Sequence, residues 1–262
     1  MTTSETLFVR ELGPEDGPVL VILHGLLGTG DNWQSLAKSY AQHHRVLLTD
    51  ARNHGRSPHH PEHSYLAMTA DLLRVLDDRG IAQASLIGHS MGGKTVLEFA
   101  RLHPNRCRRL IVADMAARRY PIHHQSIFES LRSAPIHAET TRERVHQHLM
   151  THLHDPTVVA FLMKGLRRQV HAGKNQWSWR PNLLVLQDAL PEIVRQVDLD
   201  ISTLPLLAIF GGSSDYVNEA DLSEFETHFL QFEAHCIPNA GHWIHAEAPD
   251  AFLEVTTSFL AG

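Results

Sequence analysis

Residues 86–94 read LIGHSMGGK, and the fold turns on them. One serine, Ser90, stands between Gly88 and Gly92, where an apolar run ends and a helical pattern begins. Glycine weakens strands and helices alike, so stability alone does not account for this spelling. The pattern is G-x-S-x-G. Its glycines let a chain turn sharply from strand to helix and lift the serine hydroxyl to the apex. At that apex the first N–H groups of the helix are unpaired and the helix dipole favours negative charge. The setting suits a nucleophile whose product is an oxyanion; the plainer alternative is a tight turn with a capping serine.

Working outward, residues 18–23 (PVLVIL), 45–50 (RVLLTD), 84–88 (ASLIG), 109–114 (RLIVAD) and 205–212 (PLLAIFGG) are apolar runs rich in Val, Ile and Leu. Strands buried on both faces read this way. Between them lie helical stripes: Trp33, Leu36, Ala37 and Tyr40, then Met68, Leu72 and Leu76 with Gly80 as a stop, and at the end Ala248, Phe252, Val255 and Phe259. Alternating strands and helices imply an α/β fold with a mostly parallel central sheet and helices on both faces. Residues 115–200 break the rhythm. They carry helical stripes such as Val145, Leu149 and Leu153 but no central strand, and no flexible linker bounds them. We read residues 1–114 and 201–262 as the core and 115–200 as a helical cap over the C-terminal edge of the sheet. Trp177 and Trp179 in the cap suggest an apolar acyl pocket or, equally, cap core.

The chain has 262 residues, within the range of single α/β domains. Its net charge of −6 and lack of basic runs argue against a nucleic-acid or anionic-membrane partner. No leader pattern and no membrane-length apolar run is visible. Cys107 and Cys236 lie far apart and outside any CxxC, which fits a cytoplasmic protein with reduced thiols.

A serine hydroxyl needs a base, most often a histidine oriented by a carboxylate. For this kind of elbow the chain order is serine, acid, histidine. The stretch PNAGHWIHAEAPD at 238–250 follows a last strand read at 231–237 and offers His242 and His245. Gly241 marks a tight loop tip, so His242 is preferred and His245 is read as a packing neighbour. The oxyanion donors are expected to be the N–H of Met91, after the nucleophile, and that of Leu26 in the HGLLG loop at 24–28. Asp50 and Arg52 are read as fixing their loop. Lys94, one turn into the nucleophile helix, is read as pairing with a carboxylate rather than meeting an anionic substrate group.

Together HGLLG, DARNHGRSPHH (50–60), GHSMGGK (88–94) and GHWIHAE (241–247) resemble the α/β-hydrolase superfamily, and within it the YbfF-type bacterial esterases and their mitochondrial relatives. The resemblance spans the chain. It implies a serine esterase acting on short or medium acyl esters, or on acyl-CoA thioesters, through an acyl-enzyme, with a small-molecule substrate and no cofactor. It also implies that the acid follows the strand after the nucleophile helix, which is Asp114, and that Ser214 is an auxiliary hydroxyl. This chain departs from that pattern by placing Asp215 directly after Ser214, so Asp215 is the alternative acid. A perhydrolase or a carbon–carbon bond hydrolase would use the same residues. A ligand-binding protein that has lost its chemistry would lack one of them, and a haloalkane dehalogenase would carry Asp where this chain has Ser90.

The 21 histidines raise the question of a metal. His148 and His152 share a helix face, but no HExxH or Cys/His zinc spacing occurs, and we expect no metal. If many of these rings charge in mild acid, the net charge changes sign there.

Overall fold

The strands read as doubly buried pair with one another. A computed structural model describes residues 6–137, 140–171 and 174–262; residues 1–5, the start of the stretch read for a leader, lie outside them. The strands are β1 (Val9–Leu12), β2 (Val19–Leu23), β3 (Arg45–Thr49), β4 (Ala84–His89), β5 (Cys107–Ala113), β6 (Leu166–His171), β7 (Lys174–Trp179), β8 (Ser202–Gly211) and β9 (Phe229–Ile237). Seven form one sheet in the order β1-β3-β2-β4-β5-β8-β9, and β6 pairs with β7 as a separate hairpin. Within the sheet every pairing is parallel except β1 against β3. The helices are α1 (Gln34–Tyr40), α2 (Tyr65–Asp77), α3 (Met91–Leu102), α4 (Gln125–Ser133), α5 (Arg142–Leu153), α6 (Pro156–Leu162), α7 (Leu183–Asp188), α8 (Leu190–Ile193), α9 (Glu219–His228), α10 (Ile244–Glu247) and α11 (Pro249–Ala261). None is long and apolar enough to cross a membrane.

Alternation along the strands divides the core in two. Val21, Leu86 and Val112 face one side, with Leu72 of α2 and Phe99 of α3. Leu20, Ile87 and Ile111 face the other, with Leu36 of α1 and Phe252 of α11. Both faces are dry, so the strands spell as unbroken apolar runs. Burying such a side chain contributes about 1.5–3 kcal/mol.

Two elements differ from the sequence reading. The antiparallel edge strand β1 (VREL) is only partly buried, and its mixed polar spelling hid it. The region read as a helical cap also contains the β6–β7 hairpin. Its spelling, LRRQVH against KNQWSW, is mostly polar, which conceals a strand pair outside the main sheet. Trp177 and Trp179 sit on β7 as packing residues. Their indole N–H groups donate to the carbonyls of Thr140 at 2.7 Å and Leu131 at 2.9 Å.

The turn from β4 into α3 answers the question raised by residues 86–94. Ser90 has φ 53° and ψ −117°, a left-handed φ that an L side chain rarely adopts. Its N–H donates to the Ala113 carbonyl at 3.1 Å, which ties the strained residue to β5. A Cβ on Gly88 would lie 2.2 Å from the Gly92 carbonyl oxygen, and one on Gly92 would lie 2.4 Å from that of Leu23. The glycines are there because backbone passes where side chains would stand.

Gly92→Ala is therefore expected to cost ~3 kcal/mol or more through overpacking. Gly80→Ala, at φ 64° with nothing within 4 Å of the new Cβ, should cost only the ~1–2 kcal/mol of left-handed strain. Urea unfolding midpoints check the ranking; equal midpoints would contradict it.

Candidate active site

In an open parallel sheet ligands bind beyond the carboxyl ends of the strands. The candidate catalytic and oxyanion residues follow strand ends there. Leu26 follows β2, Ser90 follows β4, Asp114 follows β5, Ser214 follows β8 and His242 follows β9.

Asp114 leaves β5 with φ 48° and is fully buried. Its Oδ1 accepts the Gly211 N–H at 3.1 Å. Its Oδ2 accepts the Ser214 hydroxyl at 2.5 Å and the His242 Nδ1–H at 2.7 Å. A carboxylate accepts only, so the neutral imidazole carries its proton on Nδ1 and keeps Nε2 bare. Ser214 thus acts on the carboxylate rather than on the ring. Asp215, the alternative acid, is exposed, and its side chain makes no hydrogen bond or ion pair among the described residues.

The loop carrying His242 is anchored on both sides. His89, the x of G-x-S-x-G, donates Nε2–H to the His242 carbonyl at 2.8 Å. Glu247 accepts the N–H groups of Gly241 at 2.6 Å and Trp243 at 3.1 Å. The Tyr216 ring stacks on the imidazole, with centroids 3.8 Å apart and planes at 19°. Sequence reasoning missed His89, Glu247 and Tyr216; only their positions beside Ser90, His242 and Ser214 marked them. Ser90 and His242 line one cavity. The Ser90 hydroxyl makes no hydrogen bond among the described residues; nucleophile–base bonds often tighten only once substrate is bound.

Histidines also shape the HGLLG loop. His24 donates Nδ1–H to the Gly25 carbonyl at 2.8 Å, and its Nε2 accepts the Ala51 N–H at 3.0 Å. His54 donates Nδ1–H to the Arg52 carbonyl at 2.9 Å, and its Nε2 accepts the Leu27 N–H at 3.1 Å. The Leu27 donor is therefore engaged, whereas the N–H groups of Leu26 and Met91 have no partner among the described residues. An oxyanion needs such a free pair.

The cavity measures about 300 Å³. Besides the loops, Tyr216 among them, it is lined by His123, His124, Ile127, Val158, Phe161 and Leu162 of the proposed cap and by Trp243. Among the described residues no Asp, Glu, Lys or Arg lines it. Of the two readings for Trp177 and Trp179, pocket wall or cap core, the first does not hold: neither is part of its wall. Asp50 and Arg52 fix their loop as read: Asp50 accepts the N–H groups of Gly30 and Arg56, each at 2.8 Å, and Arg52 pairs with Asp71 at 2.6 Å. Lys94 departs from its reading. Its ammonium meets no carboxylate among the described residues but donates to the carbonyls of Arg118, at 2.7 Å, and Arg195. It also lies 4.8 Å from the Tyr120 ring centroid, away from the cavity. Burial, with Arg195, Arg118 and Arg119 nearby, lowers its pKa to about 7. His245 stacks on Trp33 at 4.1 Å, the packing neighbour expected. Among the described residues no three His, Cys, Asp or Glu side chains converge as metal ligands.

The match to the alpha/beta hydrolase fold family spans residues 18–249. Esterase YbfF of Escherichia coli K12 is 36% identical over 242 residues, covering 92% of each chain. The sn-1-specific diacylglycerol lipase ABHD11 of Mus musculus is 37% identical, over 93% of this chain and 81% of its own length. A solved marine microorganism esterase superposes with a TM-score of 0.92 at 34% identity, covering 98% of this chain and 100% of that one.

Burial holds several rings neutral. It pushes His54 and His89 well below the ordinary histidine range, each with neighbouring histidines adding to the effect. It lowers His63 to about 4, with Arg52 and His24 contributing, and His124 to about 4, with His123 and His242 contributing. His245 falls to about 3 through burial, His242 and Lys164. The folded pKa values lie below the unfolded value of ~6.5, so the unfolded chain binds more protons in between. Stability should hold above pH ~6.5 and fall as pH drops toward 4, by up to ~1.4 kcal/mol per pH unit for each ring. His245→Phe keeps a ring against Trp33 and should lessen that slope by about one proton's worth in urea titrations at pH 7 to 5. An unchanged slope would contradict the assignment.

Proposed function

The chain belongs to the alpha/beta hydrolase family, and on that premise we propose that it is a serine esterase working through an acyl-enzyme. The observation that carries this reading is the 2.7 Å bond to the buried Asp114 carboxylate from Nδ1 of His242, whose ring lines the same cavity as Ser90. In the proposed cycle Ser90 Oγ attacks the ester carbonyl carbon and its proton passes to His242 Nε2. The carbonyl π electrons move onto oxygen, which the Leu26 and Met91 N–H groups receive. Collapse re-forms the carbonyl and expels the alkoxide, which takes the proton from His242. A water then repeats the sequence against the acyl-enzyme and frees the acid and Ser90. Asp114 orients the ring and stabilises the imidazolium, as the aspartate does in other serine hydrolases. Ser214 and the Gly211 N–H support that carboxylate.

The uncharged, largely apolar lining suits an uncharged acyl group of short or medium length. Acyl-CoA thioesters would follow the same steps. The named relatives are an esterase and a diacylglycerol lipase, and both names describe ester cleavage. We place the protein in the cytoplasm, and we divide it into the hydrolase core of residues 1–114 and 201–262 and the cap of residues 115–200.

The test is hydrolysis of p-nitrophenyl esters and acyl-CoAs over a range of chain lengths. We expect Ser90→Ala to be inactive and short or medium esters to be the best substrates. Asp114→Asn should lower kcat by about 10⁴-fold, the size of the corresponding loss in serine proteases, while Asp215→Asn stays within a few-fold of the parent. The reverse ranking would move the role to Asp215. A fluorophosphonate should label Ser90, and a chain that does not react would be a binding protein.

A further inference from the structure

The GGSSDYV loop at 211–217 holds more than the acid's partners. Tyr216 lies two residues beyond Ser214, and its N–H donates to the Ser214 hydroxyl oxygen at 3.3 Å. Its carbonyl accepts the Tyr120 hydroxyl at 2.6 Å. Its ring covers one face of the His242 imidazole. Its hydroxyl reaches His123, in the stretch before α4, with 2.8 Å between the Tyr216 oxygen and His123 Nε2.

The direction of that last bond follows from the ring's other nitrogen. His123 Nδ1 lies 3.0 Å from the Pro121 carbonyl, which can only accept, so in the neutral ring Nδ1 carries the proton and Nε2 accepts. Burial and the Asp114 charge push the Tyr216 hydroxyl up to about 12, so it keeps its proton and donates to His123.

We propose that Tyr216 is a positioning residue for the base, and that the region between β5 and β8 reaches the base through it: His123 fixes the Tyr216 ring, and that ring fixes the plane of His242. This rests on the esterase reading. The Asp114 bond sets which nitrogen of His242 faces inward but leaves the ring free to swing about that bond. A stacked aromatic face removes that freedom, and keeps water from one side of the imidazole. A displacement of about 1 Å at a reacting group can cost about 10²-fold in rate, so the brake matters for kcat rather than for substrate binding. Because His123 and Tyr216 themselves line the cavity beside Ile127, a shift of that wall would be transmitted to the base.

The test is a double-mutant cycle on Tyr216→Phe and His123→Ala, with Tyr216→Leu as the larger lesion. Tyr216→Phe keeps the stack and loses the tether; His123→Ala removes the tether from its exposed end. Each should lower kcat by about 3–10-fold with KM within about twofold. The double variant should lose no more than either single one, because both cut the same bond. Tyr216→Leu should lose about 10²-fold in kcat, and the low-field proton NMR signal of the His242–Asp114 hydrogen bond should broaden as its ring gains motion. Phe at the same position should restore the signal. Additive losses, or kcat within twofold of the parent in both single variants, would overturn the proposal even if Tyr216→Leu fails to fold. Fluorophosphonate labelling of the parent keeps the two claims apart. A parent that does not label refutes the esterase reading, whereas a labelled parent with unaffected variants refutes only the role of Tyr216.

Discussion

The Asp114 carboxylate sits where no water reaches it, and an ionised group there costs several kcal/mol unless donors surround it. Three donors do so: the Gly211 N–H, the Ser214 hydroxyl and His242 Nδ1–H. They come from the end of β8, the loop after it and the loop after β9. One buried charge therefore gathers three segments at the carboxyl edge of the sheet, and the same contact selects the tautomer of His242. Stability and chemistry are joined there: what compensates the charge is what aims the ring.

Histidine is used around this centre as a neutral connector. In His24 and His54 one nitrogen donates to a carbonyl and the other accepts a main-chain N–H. His89 donates from the elbow to the carbonyl of His242. Burial keeps such rings uncharged, so they hold loops without bringing a field into the cavity. That matters for an oxyanion reading, since fixed N–H dipoles act most strongly where water and stray charge are absent. Three of the 21 histidines thus brace backbone.

The parallel strands were legible because burial on both faces writes itself as continuous apolar sequence, and the elbow because Gly88 and Gly92 are dictated by backbone contact. His242 followed from chain order. The acid did not follow from residue pattern alone: the resemblance favoured Asp114 with Asp215 as the alternative, and burial and hydrogen bonding to His242 support the proposal of Asp114. Strands β1 and β6–β7 escaped because they are partly polar and outside the doubly covered part of the sheet. Tyr216 and His123 escaped for a different reason. Their contact joins positions 93 residues apart, and no local spacing encodes it. Lys94 was misread because a buried ammonium met by two carbonyls has no sequence signature.

A crystal structure of the protein after reaction with a fluorophosphonate tests the central arrangement most directly. Phosphorus should be bonded to Ser90 Oγ, with its oxygen about 2.7–3.1 Å from the N–H groups of Leu26 and Met91 and His242 Nε2 turned toward the adduct while Nδ1 stays on Asp114. An adduct on another residue, or a phosphoryl oxygen pointing away from both N–H groups with His242 out of reach, would contradict it.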